Sequence, residues 1–286
     1  MNNPINTFLN HLREKYQNTD TETDTAWQRL EIELNKSPVA NNSQSKRYQW
    51  RFRKRPILAF FSSVAILLIL FSPYLYNSWN TISISTNFGE RKELILPDGS
   101  TVQLNSGSTL SYKRDFDKIN RNLTFEGEAF FSILPSSTSF IVSSGNLKVE
   151  VLGTAFNVKN YSEDIEVAVI RGTVAVIQYD STVTITKGER TRFEQNQQPS
   201  SPETMALDNY PGWIYDTLIF EKTALVKVCD ELERTFDIQI RLNNPKLENI
   251  TVSGKINADN LDESLTILSF LIQKKYTYKD DYYVIY

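Results

Sequence analysis

The pair Gly153-Thr154 carries the most specific chemistry in this sequence. A threonine hydroxyl can attack the carbonyl carbon of the preceding residue when the bond between them is held in a strained turn. Glycine suits the preceding position because its backbone tolerates dihedrals that other residues avoid, and because it has no side chain to screen the carbonyl. Transfer of the acyl group from nitrogen to oxygen, followed by hydrolysis, would cut the chain. The alternative is an ordinary glycine in a β-turn.

Other reactive side chains are too few to indicate an enzyme or a metal site. The sequence has one cysteine, Cys229, and one histidine, His11. A zinc site of the Cys/His type and a Ser-His-Asp triad therefore lack ligands and partners. Cys229 is expected to be a small buried residue on a helix face. We expect no metal, no cofactor and no enzymatic activity beyond self-cleavage.

Paired carboxylates are the remaining candidates for acid–base chemistry. Glu126 and Glu128 flank Gly127 in a strand-like segment. Alternation on a strand would place both carboxylates on one face, as a glycosidase requires. The simpler interpretation is the solvated face of a half-buried strand. The adjacent acids Glu163 and Asp164 are interpreted in the same way.

An apolar run at residues 57–76 predicts a transmembrane helix. No charged residue occurs between Arg55 and Glu90. About twenty residues of helix span roughly 30 Å, the thickness of the hydrocarbon core of a bilayer. A cleaved signal peptide would start near residue 1 and have a shorter apolar stretch. A buried core helix would show a polar face, which this run lacks.

The segment before this run, residues 46–56, predicts the orientation in the membrane. Residues 46–55 include six Lys and Arg and no acid, whereas the whole chain has a net charge of -3. The positive-inside rule places this flank, and with it the N-terminus, in the cytoplasm. The expected membrane anchors are Arg53, Lys54 and Arg55 on the inside and Trp79 at the outer interface. Because the flank accounts for the basic residues, no direct contact with nucleic acid is expected.

Residues 1–45 predict a short helical segment in the cytoplasm. Apolar residues recur at helical spacing in residues 6–16 and again in residues 25–34, where Trp27, Leu30 and Leu34 are candidates for contact with a partner. Short helices of this kind are marginal alone in water. An unsupported apolar stripe often waits for a binding partner. A weakly ordered tail is the alternative.

Residues 82–195 predict an all-β domain. Short segments of alternating apolar and polar residues recur about every 8–12 residues with polar turns between them, which is typical of a sandwich, a barrel or a short solenoid. The four residues Pro97 to Ser100 lie between two such segments and predict a hairpin turn. Residues 196–209 have the composition of a linker.

Residues 210–286 predict a small α+β domain of two βαβ-like units. Leu225, Val228 and Leu232 mark the first helix, with Thr223 as its expected N-cap. Asn260 and Glu263 form a start like a capping box for the second helix.

Several segments together resemble the FecR domain of membrane-bound anti-sigma factors. The segments are Leu96 to Leu110, Leu123 to Phe131, Phe140 to Ser144, Val151 to Val158 and Val169 to Val174. Residues from Trp213 onward resemble the small βαβ domain of the family's long variant, which is similar to the secretin/TonB short N-terminal domain. The fold class expected from all of this is a single-pass membrane protein. It has an all-β periplasmic domain, β-solenoid or sandwich-like, followed by a small α+β domain.

The resemblance implies a regulator of an extracytoplasmic-function sigma factor. In the family, the cytoplasmic segment holds the sigma factor, and Ala26 to Leu30 resembles the family's Trp-containing helix. The periplasmic part senses the signalling domain of a TonB-dependent outer-membrane transporter, and membrane proteases then cut the protein in steps. Some members cut themselves at a Gly-Thr such as Gly153-Thr154. The protein would lie in the inner membrane with its C-terminus in the periplasm. The alternative is a structural or adhesive envelope protein anchored by one helix.

Overall fold

The computed structural model describes residues 79–286 apart from 162, 163 and 195, together with six single residues nearer the N-terminus. These six are helical and exposed: His11, Glu14, Thr25, Gln28, Arg29 and Ile32. Helix at these positions agrees with the helices expected over residues 6–16 and 25–34. The predicted flank at residues 46–56 and span at residues 57–76 lie outside the described residues. So do six of the predicted functional residues: Trp27, Leu30, Leu34, Arg53, Lys54 and Arg55.

No helix in the part of the chain that the structure describes is long and apolar enough to cross a membrane. Trp79, the predicted outer anchor, is described, and its side chain is 83% exposed. Its role at a membrane interface stays a prediction.

The first described domain, the β lobe, comprises residues 81–204 and contains thirteen strands. In chain order, β1 to β13 are Thr81–Ser85, Lys92–Ile95, Thr101–Leu104, Thr109–Lys113, Arg121–Ser132, Phe140–Ser144, Leu147–Val151, Ala155–Tyr161, Asp164–Arg171, Thr173–Gln178, Ser181–Thr186, Glu189–Glu194 and Glu203–Thr204. The last of these lies inside the predicted linker, where it pairs with β12. The linker is therefore partly a strand.

The long strand β5 organises the β lobe. Its first half pairs with β4 and β6, and its second half pairs with β3 and β8. The sheet continues from β6 through β7 and β10 to β11, and from β8 through β9 to β12 and β13, forming a half-barrel. Most neighbours are antiparallel, which favours the sandwich-like alternative over a solenoid of parallel coils.

Gly127 allows β5 to turn from one half of the sheet to the other. Its φ is +108°, and a Cβ at this position would lie 2.5 Å from the Oγ of Ser108. Only glycine fits such a conformation at such a close approach. The bend brings Phe131, Phe140 and Phe156 into the core between the halves, where the rings of Phe131 and Phe156 stack with centroids 5.0 Å apart.

The hairpin expected at residues 97–100 is confirmed. It joins β2 to β3, and the backbone N–H of Leu96 donates to the carbonyl of Ser100 at 2.8 Å. Gly99 has a φ of +82°, the left-handed conformation that the turn requires. Its flanking apolar residues Leu96, Val102 and Leu104 are buried in the core.

The second described domain, the C-terminal lobe, comprises residues 212–286. Its strands β14 to β18 are Thr217–Ala224, Ile240–Leu242, Thr251–Asn257, Tyr276–Lys279 and Tyr282–Ile285. Its helices are α1, Leu225–Phe236, and α2, Leu261–Ile272, with 3₁₀ turns at Gly212–Tyr215 and Pro245–Asn249. Cys229 is buried in this lobe as expected, and burial raises the pKa of its thiol to about 12.

The order of elements matches the two predicted βαβ-like units, but the strand pairing does not. The strands that flank α1 lie in different sheets, because β14 pairs antiparallel with β16 and β15 pairs parallel with β18. Pairing across the two units lets Leu232 of α1 and Leu268 of α2 share one core. A single unit of this size could not bury its own helix.

The two predicted N-caps had different outcomes. The prediction for Thr223 is wrong: the cap residue of α1 is Ala224, and the hydroxyl of Thr223 accepts from the backbone N–H of Glu221 within β14. The prediction for Asn260 is confirmed, since its side-chain oxygen accepts from the N–H of Glu263 at 3.1 Å. Ala224 has no side-chain oxygen, so α1 begins without a side-chain cap.

Replacing Asn260 with alanine should lower the free energy of unfolding by about 1 kcal/mol, because an amide at the start of α2 loses its acceptor. Urea unfolding followed by tryptophan emission measures the change. As a control, Asn146→Ala removes an exposed amide that donates to Tyr179 and should change stability by less than about 0.5 kcal/mol. Equal effects of the two changes would contradict the role of Asn260 as a cap.

Candidate functional site

Gly153 and Thr154 form the corner between β7 and β8, and the corner packs against Pro135. A Cβ on Gly153 would lie 2.6 Å from the Cα of Pro135. The φ angle of Gly153 is not positive. The expectation of a dihedral that only glycine adopts is therefore wrong. Glycine is required here because another segment of backbone packs against its Cα.

The peptide between Gly153 and Thr154 is held from both sides. The carbonyl of Leu152 accepts from the N–H of Ser136 at 2.9 Å, and the carbonyl of Thr154 accepts from the N–H of Ile133 at 2.9 Å. Two hydrogen-bonded peptide planes thus bracket the bond that would be cut. Such bracketing restricts the dihedrals of the corner, as positioning for an intramolecular reaction requires.

Thr154 is buried, and its hydroxyl borders the same space beside Gly172 as the carbonyl oxygen of Gly153. Thr154 is 1% exposed, and its Oγ1 donates to the carbonyl of Thr173 at 3.0 Å. Gly172 has a φ of +90°, and a Cβ there would lie 2.9 Å from Thr154 Oγ1 and 3.1 Å from the carbonyl oxygen of Gly153. Because Gly172 has no side chain, there is space next to both the Thr154 hydroxyl and the Gly153 carbonyl oxygen.

A cleft of about 440 Å³ opens at the corner. Gly153, Thr154, Thr173 and Glu150 are among the residues that border it. The cleft gives solvent a route to the corner, which the hydrolytic half of a self-cleavage reaction needs. The carboxylate of Glu150 is 3.7 Å from the ammonium of Lys148.

The carboxylate pair Glu126 and Glu128 is not arranged for acid–base catalysis. Glu126 is exposed, whereas Glu128 is 5% exposed and accepts hydrogen bonds from Asn105 at 2.9 Å and Asn157 at 3.0 Å. The expected solvated face is therefore wrong for Glu128. The bend at Gly127 interrupts the alternation of the strand and turns the second carboxylate inward. Burial raises the pKa of Glu128, and the nearby ammonium of Lys159 opposes this rise.

A polar network that includes Glu128 joins the two lobes; we name it the interlobe network. It consists of Asn105, Glu128, Asn157, Lys159 and Tyr161 of the β lobe with Trp213, Glu231 and Arg234 of the C-terminal lobe. Lys159 in β8 reaches Glu231 in α1 at 2.5 Å. Arg234 lies 3.2 Å from the same carboxylate, and its guanidinium stacks over Tyr161 at 4.3 Å. Trp213 donates from Nε1 to the side-chain oxygen of Asn157 at 3.3 Å.

Burial and neighbouring charges set the protonation of the interlobe network. Burial by itself raises the pKa of Glu231, but the ammonium of Lys159 and the guanidinium of Arg234 outweigh it, so the pKa lies below its usual value. Burial likewise lowers the pKa of Lys159, but the carboxylates of Glu231 and Glu128 outweigh that effect and raise it. Both shifts favour the charged forms of the ion pair.

Further ion pairs outside the interlobe network also join the two lobes. They join Arg91 to Asp216, Arg190 to Glu221 and Lys227 to Asp164. The backbone N–H of Gly89 also donates to the carbonyl of Arg234 at 2.8 Å. β8 starts at Ala155, directly after Thr154, so the strand that follows the corner carries Lys159, which is one of the contacts to the C-terminal lobe.

Each of the two lobes matches the model of a known protein family. Residues 82–175 match the model of the FecR protein family, and residues 217–285 match the model of the FecR C-terminal domain. No curated protein gives a significant sequence match. Two crystal structures of a candidate anti-sigma factor from Parabacteroides distasonis ATCC 8503, at 2.50 and 1.65 Å resolution, align with TM-scores of 0.68 and 0.67. Both are 29% identical in sequence and cover 72% of this chain and 98% of their own. With its β lobe and C-terminal lobe in the order of the two family models, this chain belongs to the FecR family.

Proposed function

We propose that the protein is an anti-sigma regulator that carries a signal across the inner membrane. The main support is that the β lobe and the C-terminal lobe together align with a candidate anti-sigma factor over 98% of that chain. Residues 1–45 hold an extracytoplasmic-function sigma factor in the cytoplasm, and residues 57–76 cross the membrane. The two described lobes occupy the periplasm. The first strand begins at Thr81, shortly after the end of the proposed span, which supports this arrangement.

The signal in this proposal comes from the signalling domain of a TonB-dependent outer-membrane transporter. That domain binds the periplasmic part, and membrane proteases then release the cytoplasmic segment with its sigma factor. Family membership supports this relay. The interlobe network supports it as well, since it gives the C-terminal lobe a direct contact with β8.

Replacing Trp27 and Leu30 with alanine should abolish co-purification of the sigma factor with the full-length protein. Loss of the large apolar side chains removes the anchors of a helix that binds in a groove, and truncating such anchors costs about 2 kcal/mol or more each. The measurement is recovery of each encoded sigma factor with tagged full-length protein from detergent extracts. Gln28→Ala, at an exposed helical position between them, is the control and should retain the sigma factor. Failure of the unmodified protein to retain any sigma factor would contradict the proposal.

We also propose that the chain cuts itself between Gly153 and Thr154. Oγ1 of Thr154 attacks the carbonyl carbon of Gly153, the C–N bond breaks, and the hydroxyl proton passes to the nitrogen, which becomes the amine of Thr154. Water then hydrolyses the ester, which leaves a carboxylate on Gly153 and restores the threonine hydroxyl. Thr154 is buried, and its Oγ1 and the carbonyl oxygen of Gly153 both border the space that a side chain on Gly172 would fill, which supports this step. After the cut, β8 stays paired with β5 along Gly127–Ser132, so the fragments remain associated.

A further inference from the structure

Arg121 is a fully buried cation next to the Gly153-Thr154 corner. It lies at the start of β5, and its side chain is 3% exposed. The guanidinium lies 3.3 Å from the carboxylate of Asp98, whose side chain is 4% exposed. A charged pair this deep is weak evidence of a contribution to stability, since apolar residues of similar volume often do as well or better.

The guanidinium binds three backbone carbonyls in two segments that form the corner. Its Nε donates to the carbonyl of Thr138 at 3.1 Å. Its Nη2 donates to the same carbonyl. Its Nη1 donates to the carbonyl of Leu134 at 3.1 Å, and Nη2 donates to the carbonyl of Leu152 at 3.3 Å. One planar group thus ties the β5–β6 connection to the residue that precedes Gly153.

These contacts hold the two segments that meet at the Gly153-Thr154 corner. Leu134 directly precedes Pro135, whose Cα lies against Gly153. The carbonyl of Leu152 belongs to the peptide plane that enters Gly153. Arg121 therefore holds the surface that packs on the glycine and also the plane from which the Gly153-Thr154 bond continues.

Asp98 orients Arg121 and belongs to the same arrangement. Its carboxylate accepts from the N–H and the hydroxyl of Ser100, each at 2.9 Å. The hydroxyl of Ser100 in turn accepts from the N–H of Leu134 at 3.1 Å. The β2–β3 hairpin turn therefore supplies the counter-ion and also braces the segment that Arg121 binds.

We propose that Arg121, aligned by Asp98, is a positioning residue for the self-cleavage of Gly153-Thr154, an inference that rests on the self-cleavage proposed above. It does not touch the reacting atoms. It acts through the Leu152 carbonyl and the Pro135 segment, which keep the Gly153 carbonyl within reach of the threonine hydroxyl.

The test is the rate of cleavage in the full-length protein with Arg121→Lys and Asp98→Asn. A lysine ammonium is a point charge and cannot replace a planar fork that holds several carbonyls, so Arg121→Lys should slow cleavage about 100-fold, as expected for a small misplacement of reacting groups. Asp98→Asn keeps an acceptor for Ser100 and should slow cleavage less. Fragment formation is followed by immunoblot, and folding of each variant is checked by thermal unfolding.

Two further measurements separate positioning from a general loss of structure. Lys159→Met weakens the fold away from the corner and should leave the cleavage rate of folded protein within about two-fold, because it moves no group at the corner. Hydroxylamine traps the ester as a hydroxamate on Gly153, identified by mass, and Arg121→Lys should reduce the trapped amount per folded molecule. Cleavage of folded Arg121→Lys at the normal rate would overturn the positioning role alone. An unmodified chain that stays intact would overturn self-cleavage, and the role of Arg121 with it.

Discussion

Thr154→Ala should leave the full-length protein as a single band where the unmodified protein gives two fragments. The substitution removes the only hydroxyl that lies next to the Gly153 carbonyl within the corner, so no ester can form. The fold should persist, since the change loses one hydrogen bond to Thr173, worth about 1 kcal/mol. Immunoblots of cell extracts with tags at both ends, together with sequencing of the new N-terminus at Thr154, measure the result.

Two control variants sharpen this prediction. Thr154→Ser keeps a hydroxyl in the same place and should still be cut. Thr191→Ala removes another fully buried threonine, whose Oγ1 donates to the carbonyl of Ser200 at 2.8 Å, and should be cut normally. Fragments from Thr154→Ala of the same size as those of the unmodified protein would show that a separate protease makes the cut.

Lys159→Met should lower the free energy of unfolding by about 3 kcal/mol, the low end for breaking a buried ion pair. The low end applies because the Lys159 side chain is 33% exposed, whereas that of Glu231 is only 9% exposed. Without the ammonium, the carboxylates of Glu231 and Glu128 stay in the interlobe network with Arg234 as the remaining nearby cation. Urea unfolding of the full-length protein followed by tryptophan emission measures the loss, since Trp213 lies in the network.

An exposed ion pair between the same lobes provides the matched control. Lys227 contacts Asp164, and their side chains are 52% and 53% exposed. Lys227→Met should change stability by less than about 1 kcal/mol, because solvent screens such a pair. If the two lysine variants lose stability equally, burial of the Lys159–Glu231 pair has no special effect.

The pH dependence gives this prediction an independent check. The folded-state pKa of Glu231 is lowered, so its contribution is present above the unfolded value of about 4.3 and is lost as the pH falls through the folded value. The difference in stability between the unmodified protein and Glu231→Gln should therefore be largest near neutral pH and shrink below pH 4 or so. A difference that grows on acidification would have the wrong sign.

The local signals in the sequence predicted much of the fold. The Pro97 to Ser100 turn joins two strands as expected, because proline and glycine dihedrals select the turn without help from distant residues. Strand alternation identified core residues such as Val102 and Leu104. The Gly153-Thr154 pair was found because its chemistry is a property of adjacent residues.

Charged residues of the site were harder to predict. Arg121 and Glu231 are polar residues of kinds that usually face solvent, and their burial depends on partners far along the chain. One signal was available for Glu231: it lies between the core residues Val228 and Leu232 on α1. For Arg121 the signal was strand alternation, which places it on the same face of β5 as the buried Leu123 and Phe125.

The sequence by itself determined most of the strands and both helices of the two lobes, where the apolar run lies and which peptide bond is the candidate for cleavage. These features depend on periodicity and on neighbouring residues. The tertiary structure decided how β14 to β18 pair, that Glu128 turns inward at Gly127, and why residue 153 must be glycine. Each of these depends on contacts between residues far apart in the chain, such as Pro135 against Gly153. Such contacts form only when packing brings the segments together, so no local pattern encodes them.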